Sequence, residues 1–474
     1  DTFLKLFDSD IIHKLVSDML SDPASQEVLV NAVNQAQYIF ETPADFFAAD
    51  PAMMDGDLIK PEEFENIIIA VHVLGLTDVG SFSGINLDTF TGLLDRNIDS
   101  ETGDDDFDRV FGANYIYMIL DKVLKLETLG TFVGSTLGGA LGVDVVDFDT
   151  TPSEAMLASD TNVYEPIEIG KVPKEEFRNI LNSIMLLGDI GALNLNTFTD
   201  MIEPSEETDT FTEFLESDYI YTIMARLFGN AAFGDYIGEA LSGAFSENPI
   251  DLNMDVPSDA KGSSGVEEDL MTKAELRNLM VSFTLLGDPA EINMDSIMYL
   301  IGLNRDPVTD EDDMDRMLKS IYLQDKMSVL LLSDAILDLV ANDLFVPEDF
   351  ILPVGATTEI DGRERLADGE IRKIFVGLNK LGIETQESLS TINENTLFGL
   401  TEEEITTVVD SEYLYTVIDL MLKGQTSFVV PVSAYHDSSD PLYPDKIIKT
   451  EIVDVVKAIS IMEVSSPGEV DPEV

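Results

Sequence analysis

The sequence predicts a mostly α-helical protein with short β segments, an α+β chain arranged as a tandem array of about five helical modules of roughly 100 residues each. Three observations predict it. A helical pattern recurs after regularly spaced small residues, a second helix recurs with a stricter apolar stripe, and a glycine closes that second helix in four of its copies.

The first pattern is seen most plainly in an ungapped match of DTFLKLFDSDII (Asp1–Ile12) with DTFTEFLESDYI (Asp209–Ile220), 208 positions apart. Half that offset lands on DDFDRVFGANYI, and the pattern returns at DDMDRMLKSIYL and EEITTVVDSEYL. Its anchors are Ser9, Ala113, Ser217, Ser320 and Ser411, spaced by 104, 104, 103 and 91. Apolar residues follow each anchor at helical spacing, as in Ile220, Ile223, Met224 and Leu227, which is the stripe of a half-buried helix. Lys326 interrupts the stripe in the fourth copy.

The second pattern places apolar residues at offsets 0, 3, 4, 7 and 10: Phe64 to Leu74, Phe177 to Leu187, Leu276 to Leu286, Ile371 to Leu381 and Ile452 to Met462. Gly75, Gly188, Gly287 and Gly382 follow, as expected where a helix ends in a left-handed residue. Pro61 suits a first turn, and Thr272 with Glu275 reads as a capping box. Beyond each glycine, Asp88, Asn196, Asp295 and Asn395 read as N-caps of a further short helix. The resulting modules are 1–104, 105–208, 209–311, 312–402 and a truncated 403–474 whose SSPGEVDPEV end reads as linker.

Between the two patterns lies a small-residue helix. Gly130, Gly134, Gly138 and Gly142 are spaced by four and predict close approach of a neighbouring helix, since no phosphate-binding glycine motif is present. VDVVDFD (143–149), IDLNMDVP (250–257), LFVPEDFILP (344–353) and FVVPVSAY (428–435) alternate and are β-branched, which predicts short strands with edge prolines.

Charge bounds the function. Lys and Arg total 27 against 91 Asp and Glu, a net −64. That surface repels phosphates and anionic headgroups, so nucleic acid is excluded as a partner; no apolar run is long enough to span a membrane. Cations are attracted, and either a cation-rich cell exterior or the cytoplasm of a salt-adapted organism fits. Absence of Cys removes disulfides and thiolate metal sites. A start at Asp1, with no signal peptide, reads as a processed product or a piece of something longer.

No catalytic constellation recurs. His13 stands where other copies have Tyr117, Tyr221 and Tyr415; His72 lies inside the second helix pattern; His436 follows an extended segment. The three share no module position, which argues against a histidine-based triad and against an enzyme. The tyrosine pairs Tyr115/Tyr117, Tyr219/Tyr221 and Tyr413/Tyr415 read as helix edges with surface hydroxyls rather than a binding platform. The candidate metal site is Asp95, Asn97, Asp99, Glu101 and Asp106, at positions 1, 3, 5, 7 and 12 of an EF-hand-like loop for Ca²⁺. Ser100 replaces the turn glycine, Asp106 replaces the bidentate Glu, and EPSEETDTF (203–211) does not keep the spacing, so a solvated acidic loop is the competing reading.

At SDIIHKLVSDML and KAELRNLMVSFTLLGD the chain resembles the repeat modules of very long extracellular surface proteins of mollicute-like and Firmicute bacteria. The resemblance covers nearly the whole chain and implies a secreted or surface-anchored location, a structural or adhesive role and no catalytic residues. The expectation is a non-enzymatic surface protein whose partners are other proteins, copies of itself and cations. The alternative is a Ca²⁺-binding interaction scaffold.

Overall fold

The chain is mainly helical, with four short strands among its described residues. The computed structural model describes residues 11, 14, 17–18, 50–55, 58–76, 87–141, 148–159, 168–189, 192–245, 250, 252, 255–287, 291–341, 345–367, 369–424, 430–436, 440, 442–443 and 445–462. Ser9, His13, Asn86, Gly142, most of the 143–149 segment and the SSPGEVDPEV end lie outside them. The chain separates into two compact units: Asp1–Met201 with Thr208–Asn230 and Ser263–Lys273, and Ile202–Glu207 with Ala231–Gly262 and Ala274–Val474.

In the first unit a hairpin of β1 (Met54–Asp55) and β2 (Leu58–Ile59) leads into α1 (Pro61–Val73). Then come α2 (Leu87–Thr91), α3 (Asp106–Phe111), α4 (Asn114–Leu124), α5 (Glu127–Leu141), α6 (Lys174–Leu187), α7 (Leu195–Thr199), α8 (Thr210–Phe214) and α9 (Asp218–Phe228). Helix α1 opens with Pro61, whose missing N–H costs nothing in a first turn. Gly75 and Gly188 have φ of 71° and 69° after the long helices, the positive φ that favours glycine at such a stop, although Gly188, with ψ of −125°, is not in the left-handed helical conformation the sequence predicts. The core gathers Phe107, Phe111, Tyr117 and Phe177, with the Phe111 and Phe177 rings 5.3 Å apart.

The second unit runs through α10 (Ala231–Phe245), α11 (Lys273–Leu286), α12 (Met294–Tyr299), α13 (Asp313–Met317), α14 (Ile321–Leu331) and α15 (Asp334–Ala341). A hairpin of β3 (Thr357–Ile360) and β4 (Arg363–Leu366) follows, then α16 (Glu370–Lys380), α17 (Gln386–Leu389), α18 (Glu394–Phe398), α19 (Glu402–Asp410), α20 (Glu412–Gly424) and α21 (Lys449–Met462). The β3–β4 turn is Asp361-Gly362, both at positive φ, as a two-residue hairpin of type I′ demands.

Several local expectations change. The strands do not fall on the predicted extended segments: described residues there form coil or 3₁₀ turns, such as Pro347–Asp349 and Val432–Ala434, apart from Tyr435, which makes an isolated antiparallel bridge with Ile447. Pro257, Pro347 and Pro353 lack the N–H a ladder needs. The short-helix caps sit two residues earlier than expected. Asn194 and Asn293 make reciprocal boxes with Thr197 and Ser296, and Asn393 pairs likewise with Thr396. Asp88, Asn196, Asp295 and Asn395 lie inside those helices. Among the described residues, what lies closest to Gly130 and Gly134 is Phe148, which belongs to no helix: a Cβ on Gly134 would meet Phe148 Cβ at 2.7 Å.

Candidate functional site: helix joints and acidic loops

Each helix of the second pattern carries a glutamate immediately before its apolar stripe: Glu63, Glu176, Glu275, Glu370 and Glu451. Four of them are buried, and all four reach the start of the next anchor helix. Glu63 accepts from the Asn114 and Tyr115 amides at 3.2 and 2.7 Å. Glu176 accepts from the Ser217 hydroxyl and Tyr219 N–H at 2.7 and 2.9 Å. Glu275 takes Ser320 Oγ and the Ile321 and Tyr322 amides, and Glu370 takes Ser411 Oγ and the Tyr413 amide. A carboxylate here satisfies otherwise orphaned N–H groups and meets the positive end of the helix. Burial pushes all four carboxyls above their ordinary range, and the amide donors offset it only in part. Glu275, read in the sequence as half of a capping box with Thr272, reaches this distant helix through its carboxylate.

The same helices reach backwards as well. Arg178 forks onto Asp105 and Asp108, and Arg372 onto Asp312 and Asp315. Asp105 and Asp312 each cap a short helix already. Burial pushes the Asp105 carboxyl up, but Arg178 and the Asp108 and Asp95 amides outweigh it and hold it well below the usual carboxylate range. Arg277 instead meets the Glu203 and Glu206 carbonyls.

A third contact ties each anchor helix to the strand or turn after it. The Tyr117, Tyr221 and Tyr415 hydroxyls donate to the carbonyls of Val172, Met271 and Ile447 at 2.6–2.7 Å. One turn further on, Ser17, Asp121, Ser328 and Asp419 accept from the amides of Ile59, Val172, Leu366 and Ile447. The expected surface hydroxyls are therefore corrected: these tyrosines are buried, and their hydroxyls bind backbone. The interrupting Lys326 is fully buried and pairs with Asp325 and the Asp255 carbonyl.

The acidic loop folds on itself. Asp106 is buried and takes Arg96, Asn97 and Arg109, the last two at 2.8 Å. Asp99 accepts from the Glu101 and Thr102 amides, while Asp95 and Glu101 are exposed. Residues 302–313 repeat this geometry, with Asn304 and Arg316 on Asp313 and the Val308 and Thr309 amides on Asp306. Among the described residues no group of three or more His, Asp or Glu side chains is arranged to hold a metal ion.

His72 and His436 lie in different units. His436 contacts Asp440 at 3.2 Å and stacks on Tyr443. Nearby, burial pushes Lys446 down to about 8, and its ammonium donates to Thr416 Oγ1 at 2.6 Å. Lys446 and Lys449 also cover the Tyr415 ring, just as Lys171 and Lys174 cover Tyr117, so this cluster restates a packing contact found earlier in the chain. A small pocket in the second unit, lined by Met294, Leu331, Leu378 and Tyr413, measures 10 Å³, room for one water at most. Comparison with known protein families, curated proteins and solved structures finds no match.

The glutamate joint was missed in the sequence although its signal is there: the residue before the stripe is Glu in all five copies. Among 91 acidic residues, one recurring carboxylate does not stand out by type, only by position.

Proposed function

We propose that the chain is a non-enzymatic tandem array of five modules that works by presenting surface, as a structural or adhesive protein at the cell exterior. The observation that carries this reading is where the recurring polar chemistry goes. The buried glutamates, arginine forks and tyrosine hydroxyls join one segment to the next, and each is consumed by backbone, a serine hydroxyl or a partner of opposite charge. A chain built this way gains reach and many similar faces, which suits multivalent contact. Its partners are then other proteins or further copies of itself, with cations screening a net −64. The alternative, a Ca²⁺-stiffened scaffold, would draw on the paired loops, where Asp106 and Asp313 already hold arginines.

Antibody labelling of intact source cells tests the reading. Surface staining without permeabilisation is expected, and staining only after permeabilisation would refute it.

A further inference from the structure

The first unit carries an open groove of about 450 Å³ that the helix joints do not use. Its floor is apolar, made by Leu186 near the end of α6 and by buried Met201 just beyond α7. Its walls are polar. Asn194 and Thr197 are spent on each other in the α7 capping box, and the Asn194 amide also donates to the Ala192 carbonyl. Asn196, Asp200 and Thr210 complete the lining. These three are exposed, and no described residue hydrogen-bonds their side chains. Backbone fixes their places: the Asp200 amide donates to the Asn196 carbonyl at 2.8 Å, and the Phe211 amide to the Met201 carbonyl at 3.2 Å. Phe198, Phe211 and Phe214, from the same two short helices, are buried against one another.

The free set belongs to this copy of the pattern. Where LNLNTFTD (193–200) has Asp200, the matching segments INLDTFTG, INMDSIMY and INENTLFG have Gly92, Tyr299 and Gly399. Thr210 follows the capping Asp209 as Asp106 follows Asp105 and Asp313 follows Asp312. Those two carboxylates are taken up, Asp106 by Arg96, Asn97 and Arg109, and Asp313 by Asn304 and Arg316. Glu213 stands here in the place of Arg109 and Arg316. None of the residues lining the groove is basic, and the sequence has no Lys or Arg from 179 to 225.

These features select a ligand class. An anion would meet the Asp200 carboxylate with no basic lining residue to offset it, on a chain of net −64, so phosphate, sulfate and acidic groups are repelled. A wholly apolar ligand would desolvate three polar side chains and pair none of them. Neighbouring sugar hydroxyls suit them, because each hydroxyl both donates and accepts. Asp200 accepts, the Asn196 amide does both, and the Thr210 hydroxyl does either. Asn196 and Asp200 are four positions apart on one helical turn, so a pair of adjacent hydroxyls can bridge them. The C–H face of the ring then covers Leu186 and Met201. The volume is that of a small-molecule site. We infer that this groove binds a neutral saccharide, with Asn196 and Asp200 holding its hydroxyls. The inference goes beyond the surface-array reading, since a groove built within one unit binds wherever the chain is found.

Binding of the full chain to an array of neutral, sialylated and sulfated oligosaccharides tests this, followed by calorimetric titration with the neutral oligosaccharide that binds best. Neutral glycans ending in hexose or N-acetylhexosamine are expected to bind, and the acidic ones to stay blank. Asp200→Gly, the residue of two other copies, and Asn196→Ala should each weaken that titration by about tenfold or more. Both side chains are exposed, so the far-ultraviolet dichroism spectrum should not change. Asp295→Ala, at the matching position of another copy, should leave the affinity as it is. Absence of neutral-glycan binding, binding confined to acidic glycans, or full affinity in both Asp200→Gly and Asn196→Ala would overturn the inference. Retention of Ca²⁺ in place of glycan, lost in Asp200→Gly, would also overturn it and make the groove a cation site. None of these outcomes bears on surface staining, so the two readings fail separately.

Discussion

Replacing Glu176 with Ala tests the joint where its contacts are simplest. The substitution strands two buried donors, the Ser217 hydroxyl and the Tyr219 N–H, which sit at 2.7 and 2.9 Å from one carboxylate oxygen. A stranded buried donor costs about 1–3 kcal/mol, so the pair costs roughly 2–6 kcal/mol. Against this, removing the carboxylate relieves the burial that pushes its pKa up. The net expected loss is about 2–4 kcal/mol. Glu176→Gln keeps an acceptor oxygen and should lose about 1 kcal/mol. Glu175→Ala, one residue away and exposed, is the control and should stay within about 0.5 kcal/mol. Urea titration followed by circular dichroism gives the ordering, and amide exchange over Asp218–Thr222 localises it. Equal midpoints for Glu175→Ala and Glu176→Ala, or unchanged exchange at the helix start, would refute the reasoning.

Gly377→Ala should destabilise despite the roughly 1 kcal/mol it gains in helix propensity, because the new methyl meets Leu414 and lies 3.5 Å from Val408 Cα; a raised urea midpoint would contradict the tight crossing. The four buried glutamates should make stability rise as pH falls towards the unfolded carboxyl range. The four raised glutamates favour the protonated form in the folded state, so their contribution is full below the unfolded carboxyl pKa and is lost as pH rises through the folded value. Asp105 and Asp312 are depressed, so their contribution holds above the unfolded pKa and is lost as pH falls through the folded one. Melting temperature against pH should therefore pass through a maximum in mild acid, and a steady fall from pH 7 downwards would count against this balance. Melting temperature should also rise with ionic strength whatever the cation. A Ca²⁺ shift well beyond a matched Na⁺ control, removed by Asp99→Ala, would instead favour a specific site in the loop.

The helices were legible because each carries its burial face in its own sequence. The stripe from Phe177 to Leu187 and the stop at Gly188 need no knowledge of the partner. The glutamate joint was not, because Glu176 acts on a helix start 43 positions away, and only recurrence across the copies, not its own surroundings, separates it from exposed Glu175. The misplaced strands fail for a related reason. Alternation and β-branching described segments that prolines keep out of a ladder, while the Asp361-Gly362 turn, a stronger hairpin signal, was passed over. The acidic loop had the right oxygen donors at alternate positions. What spacing did not show was that Arg96 and Arg109 converge on Asp106.

The account rests on the modules following one another as an array rather than collapsing into one body, and small-angle scattering of the monomer tests that directly. A single compact fold of 474 residues would have a radius of gyration of roughly 23 Å. The array predicts a value well above that, with an asymmetric distance distribution that shortens little as salt is raised. A radius of gyration near 23 Å with a symmetric distribution would contradict it.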